Sequence, residues 1–131
     1  MSSKWIRTDK RLAIMLRGNL TCTYCGATVE DGASLTLDHV IPRNLGGSNH
    51  ESNLVCSCMD CNGSKSDTLL TEWLGDRENA SGIMFWVQRQ AETALAPYRE
   101  AAKEILESRR VVEFTGNQRY AQFGRLNGNG N

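Results

Sequence analysis

The sequence predicts an α+β domain built on a strand, a loop, a second strand and a short helix folded around a metal ion, with one helix before this unit and helices after it. Three observations predict it. Two Cys-x-x-Cys pairs, Cys22/Cys25 and Cys58/Cys61, are separated by 32 residues, enough to hold a hairpin. Between them Leu35-Thr-Leu-Asp-His-Val40 alternates as a half-buried strand does, and a second apolar run, Leu54-Val-Cys-Ser57, follows a Gly-rich loop. Outside this stretch the apolar residues recur at helical spacing.

A chain of 131 residues fits one domain with a core of its own. Its apolar share of 40% is low for a compact domain, so something besides core burial is expected to support the fold, and the five cysteines are the candidates. Within Met1 to Leu20 the only apolar run, Leu12 to Leu16, is too short for a secretory signal, and no stretch is long enough to span a membrane. The expected setting is therefore cytoplasmic, with reduced cysteines, where Cys-x-x-Cys pairs mean metal or redox chemistry rather than a disulfide framework. Net charge is zero but unevenly spread: residues 1–20 carry a local +4 and residues 21–70 a local −4. A basic arm beside an acidic, metal-binding middle is compatible with phosphate binding, because bound divalent cations offset the carboxylates.

The first helix is expected from Thr8 or Asp9 as cap to Gly18, with Leu12, Met15 and Leu16 as its apolar stripe. Lys10, Arg11 and Arg17 are then solvated charges, or phosphate contacts. Cys22-Thr-Tyr-Cys25-Gly26 has the form of a zinc knuckle, with the glycine permitting the tight turn. Together with Cys58-Met-Asp-Cys61 it predicts a four-thiolate zinc site. Cys56 alternates with Leu54 and reads as a small buried hydrophobe. Such a site is closed and stabilises without catalysing, so an active metal must lie elsewhere.

Asp38 and His39 end the first strand, and strict alternation points them to opposite faces. Both can serve one substrate only if the strand twists or stops there. Asn44 to His50 supplies turn residues, His50 reading as an exposed loop histidine. Asn53 opens the second strand, where its amide can tie the loop back through backbone hydrogen bonds. If a helix starts near Met59, Asn62 and Lys65 share a face while Cys61 turns about 100° away. One helix then holds both sites.

From Cys22 to Lys65 the chain resembles the HNH nuclease family, the ββα-metal or His-Me finger fold, in the variant with asparagine as the last motif residue. The resemblance implies that His39 is the first motif histidine, Asp38 its acidic neighbour, Asn53 the middle asparagine and Asn62 the final metal ligand. The flanking cysteine pairs match Cys22, Cys25, Cys58 and Cys61, and the Gly-Gly loop matches Gly46 and Gly47. The resemblance also implies a DNA endonuclease in which His39 takes a proton from water near neutral pH, and Asp38 and Asn62 hold one divalent cation. Two hard oxygen ligands favour Mg²⁺ or Mn²⁺ over transition metals. Arg43 and Lys65 are the candidates for holding the phosphate.

Beyond the core of residues 22–67, Thr68 to Leu74 reads as a short helical continuation. Next comes a helical extension over 76–114, with Ile83, Trp86, Val87, Gln90, Ala91, Ala94 and Leu95 on one helix. A second opens at Pro97 and is ended by Arg109 and Arg110. Residues 115–131 read as a flexible tail with Tyr120 and Phe123 as its anchors. The whole is expected to be a single domain acting on double-stranded DNA, as a monomer or a homodimer. A non-catalytic zinc module that binds nucleic acid or protein explains the cysteines and the basic arm but leaves Asp38, His39, Asn53 and Asn62 as coincidence. A thiol redox protein would need free cysteine pairs.

Overall fold

The computed structural model describes residues 6–115, with side chains to residue 108. The tail with Tyr120 and Phe123, the side chains of Arg109 and Arg110, and Lys4 of the basic arm lie outside the described residues.

Helix α1 (Thr8–Arg17) is entered from Arg7 with no side-chain cap, not from Thr8 or Asp9, and Gly18 closes it as expected. Asp9 lies in the first turn, where negative charge suits the helix terminus. Leu12, Ala13, Ile14 and Met15 are all buried, more than one stripe, because α1 is covered from two sides. The two-stranded sheet takes one side, and helix α5 (Ala96–Thr115) lies along the other with Tyr98, Ala102 and Ile105 in the shared core. Gly18 lets α1 close on the sheet: a Cβ there would sit 3.1 Å from that of Cys56.

Strands β1 (Leu35–His39) and β2 (Leu54–Cys58) pair antiparallel, with Leu35 opposite Cys58 and His39 opposite Leu54. All five residues of β2 are buried, since α1 and α4 (Ala80–Glu92) cover it in addition to β1. Helix α2 (Met59–Lys65) starts directly after β2, with Cys58 as its cap. Sheet and helix form the ββα unit, a mixed α+β core framed by α1 and the C-terminal helices.

Two helical expectations are corrected. Helix α2 does not run on through Thr68, because Ser66 takes φ 50° and breaks it, and α3 (Leu70–Leu74) begins afresh. Helix α5 does not end at Arg109 and Arg110 but continues to Thr115, since neither glycine nor proline occurs between Arg110 and Gly116. Among the described residues no helix is long and apolar enough to cross a membrane.

Candidate active site

The thiols of Cys22, Cys25, Cys58 and Cys61 lie within 4.8 Å of one another. Cys25 Sγ and Cys58 Sγ are 3.8 Å apart, the edge of a tetrahedron with Zn–S bonds of about 2.3 Å. Each pair also turns a backbone N–H onto its first sulfur, Cys25 to Cys22 at 3.4 Å and Cys61 to Cys58 at 3.3 Å, a polarity that suits thiolates. The donor set fits zinc in a closed four-sulfur site. Cys56 is outside it, buried, its thiol pushed up to about 12 by burial and then by the neighbouring Cys22 charge.

On the other side of α2 a cleft of about 440 Å³ is lined by Asp38, His39, Arg43, Asn62 and Asp67, with Pro42, Asn44, Gly63 and Ser66 completing the wall. Asp38 and His39 share it because β1 stops at His39 and the chain turns at Pro42. Asp38 is 4% exposed and fully engaged. Its Oδ2 accepts from Tyr24 Oη at 2.5 Å and from Lys65 Nζ at 3.1 Å, while Oδ1 accepts from Asn62 Nδ2 at 3.1 Å. Burial and then the charge and hydrogen bond of Asp38 raise the Tyr24 pKa, so its hydroxyl stays a donor.

Whether these groups fit a divalent cation is a question of donor spacing. The Asp38 and Asn62 side chains end 3.1 Å apart in the cleft, close to the roughly 3.0 Å between adjacent oxygens around octahedral Mg²⁺. Asn62 meets Asp38 through its NH₂, so rotation of the amide about its terminal bond is what would present an oxygen. The pair fits one hard cation.

His39 Nε2 is 2.8 Å from Asn49 Oδ1, and Arg43 Nη1 is 3.0 Å from the same oxygen. Arginine can only donate, which fixes that atom as the amide oxygen, so His39 must donate from Nε2. Its basic lone pair is then on Nδ1. Asn49 is in turn held by its backbone carbonyl, which accepts from Lys10 Nζ at 2.8 Å.

Asn53 stands outside the cleft and braces the loop, as its sequence position suggested. Its oxygen accepts from Ile41 N at 2.8 Å, and its NH₂ donates to Ile41 O at 3.0 Å and Ser48 O at 2.9 Å. Gly47 permits this closure: a Cβ there would lie 1.7 Å from Ile41 O and 2.8 Å from Asn53 Nδ2. His50 is an exposed loop residue whose Nδ1 accepts from Ser52 N at 3.1 Å.

The structure does not bring Lys65 to the cleft surface. Its side chain is fully buried, donating to His39 O at 3.0 Å and paired with Asp38, because a buried carboxylate requires a counter-charge. Arg17 is likewise not solvated: it is 6% exposed and its Nη2 donates to Leu54 O at 2.7 Å and Glu51 O at 3.2 Å. Lys10 and Arg17 of α1 thus hold carbonyls of the β1–β2 loop and of the first residue of β2.

Residues 22–68 match the HNH endonuclease family. Over this stretch the chain is similar to HNH endonucleases. The CRISPR-associated endonuclease Cas9 of Actinomyces naeslundii is 30% identical over 103 residues, covering 72% of this chain and 9% of that protein. Its counterpart from Corynebacterium diphtheriae is 40% identical over 58 residues, 44% of this chain and 5% of that protein. The crystal structure of the Type II-C Cas9 enzyme from A. naeslundii matches with 28% identity and a TM-score of 0.49, over 72% of this chain and 11% of that one. The chain thus spans less than a tenth of the curated relatives it matches.

Within residues 22–68, sequence reasoning missed Tyr24 and Asn49. Tyr24 carried a signal, an aromatic residue inside a metal knuckle. Asn49 carried none beyond its place in a turn.

Proposed function

We propose that the domain hydrolyses phosphodiester bonds in double-stranded DNA as a divalent-metal-dependent endonuclease. The carrying observation is that Asp38, His39 and Asn62, from two different elements, line one open cleft with Arg43 at its edge. The HNH match and the relatives named as endonucleases support the same reading.

His39 is the general base, taking a proton from water at Nδ1 while Asn49 accepts from Nε2 and keeps the ring in place. Asp38 and Asn62 hold the cation. When bound, Mg²⁺ or Mn²⁺ supplies Lewis-acid stabilisation of the charge that develops on the phosphate and leaving oxygens. Arg43, exposed on the cleft wall, contacts phosphate. Lys65 neutralises Asp38 from below, and Asn53 and Gly47 hold the loop that carries Asn49. Residues 22–67 are the working core and 76–114 its scaffold. One site cuts one strand per encounter, so a monomer nicks.

Supercoiled plasmid incubated with wild-type and His39→Ala protein in Mg²⁺, Mn²⁺ or chelator tests the reading. Metal-dependent open circle from wild type alone is expected. No cleavage by folded, zinc-loaded protein under any metal would replace the nuclease with a zinc-bearing binding module.

A further inference from the structure

Tyr24 stands between the two cysteines of the first pair, yet its side chain serves the other site. The residue is 5% exposed and its hydroxyl donates to Asp38 Oδ2 at 2.5 Å. Trp73 of α3 packs edge-on against its ring with centroids 5.1 Å apart, and Trp73 Nε1 donates to Ser64 Oγ of α2 at 3.0 Å. The backbone beside Tyr24 is pinned as well, Thr23 N donating to Cys56 O of β2 at 2.9 Å. Tyr24 can thus shift only if the cysteine knot, β2 or α3 shifts.

The consequence falls on Asp38. Tyr24 and Lys65 both donate to Oδ2, so the carboxylate is locked with Oδ1 turned to Asn62, the oxygen left for a cation. A carboxylate held by one donor fewer can rotate about its terminal bond and lose that aim. Resting on the nuclease reading above, we infer that Tyr24 is a positioning residue for the divalent-cation site: it fixes which oxygen Asp38 offers, and it makes the cysteine knot part of the machinery that sets cation affinity. Zinc in the knot then does more than stabilise the fold.

The test measures Mn²⁺ binding to DNA-free, zinc-loaded protein from the electron paramagnetic resonance signal of free Mn²⁺. Wild type, Tyr24→Phe and Asp38→Ala are compared, with zinc content and thermal midpoint recorded for each. Removing a group that orients a metal ligand weakens binding by about tenfold or more. Tyr24→Phe is expected to show that loss with zinc content and midpoint unchanged, and Asp38→Ala to abolish binding. Wild-type affinity in Tyr24→Phe, with binding lost in Asp38→Ala, overturns the inference and leaves the nuclease reading standing. Binding that survives Asp38→Ala overturns both. A measurement on the wild type keeps the question open to refutation if Tyr24→Phe loses zinc: with tyrosine ¹³C-labelled at the hydroxyl-bearing carbon, Mg²⁺ should shift the Tyr24 resonance and not that of Tyr98. An unmoved Tyr24 resonance at saturating Mg²⁺ overturns the inference.

Discussion

Removing the Asn49 side chain deletes the acceptor that Arg43 and His39 share. The imidazole keeps its chemistry and loses its orientation, so Asn49→Ala should slow single-turnover nicking by about tenfold, one charge-assisted hydrogen bond's worth. His39→Ala removes the base and should cost at least about 10²-fold in the same assay. Equal losses in the two variants would mean that Asn49 does more than orient. At Asn62 the donor type is in question. Asn62→His places a nitrogen where the proposed site uses oxygen and should extend cleavage to Ni²⁺ or Zn²⁺, read from rates across a metal series. An unchanged preference would remove Asn62 from the ligand set.

The loop between β1 and β2 depends on backbone packing that no side chain can replace. A methyl group at Gly47 would run into the Ile41 carbonyl, whose oxygen is 1.7 Å from the Cβ position. Main chain cannot rotate aside as a side chain can. Gly47→Ala should therefore destabilise the fold by about 3 kcal/mol, read from the urea midpoint, and slow nicking by moving Asn49. The same loop shows where the sequence is legible. The meeting of Asp38, His39 and Asn62 at one cleft and the clustering of the four cysteines can be read because they follow from residue type and short spacing. Asn53 could be read too, since an asparagine at a loop end has backbone groups nearby to bond. Lys65 and Arg17 could not, because their charges are neutralised or sealed by groups 27 and 37 positions away, and only the closed fold shows those partners. Tyr24 and Asn49 have nearer partners, 14 and 6 to 10 positions away, but only the closed fold shows that their side chains meet Asp38, His39 and Arg43. The boundaries of α2 and α5 failed on local chemistry, at a serine that accepts positive φ and at an arginine pair that stops nothing.

The molecule is held at two points outside the cleft, and each has its own signature. A zinc ion held by the four cysteines would tie the knuckle before β1 to the junction of β2 and α2. Cys22→Ser should lower zinc content and drop the thermal midpoint by about 10 °C or more, since metal binding at such a site is folding free energy. A zinc-free variant with the wild-type midpoint would refute the structural assignment.

The second tie joins α1 to α5, where Arg99 Nε meets Asp9 Oδ2 at 3.2 Å across 90 residues of sequence. Burial pushes the Asp9 pKa up, but the Arg99 hydrogen bond and charge, with backbone N–H groups, outweigh it and leave the carboxyl below its ordinary value. The sign depends on which state binds the proton. Unfolded chain takes up a proton at Asp9 near pH 4, folded chain only at lower pH, so the tie is at full strength above the ordinary carboxylate range and fades as pH falls through the lowered value. Arg99 is partly exposed, so solvent screens the pair and its contribution near pH 7 is about 0.5–1 kcal/mol. Asp9→Asn should therefore cost that much stability between pH 5 and 7, and the gap from wild type should close as the solution is acidified below pH 4. Urea titrations of both proteins across this range measure the gap. A difference that persists at the acid end would mean that Asp9 stabilises α1 by capping or packing, not through its charge on Arg99.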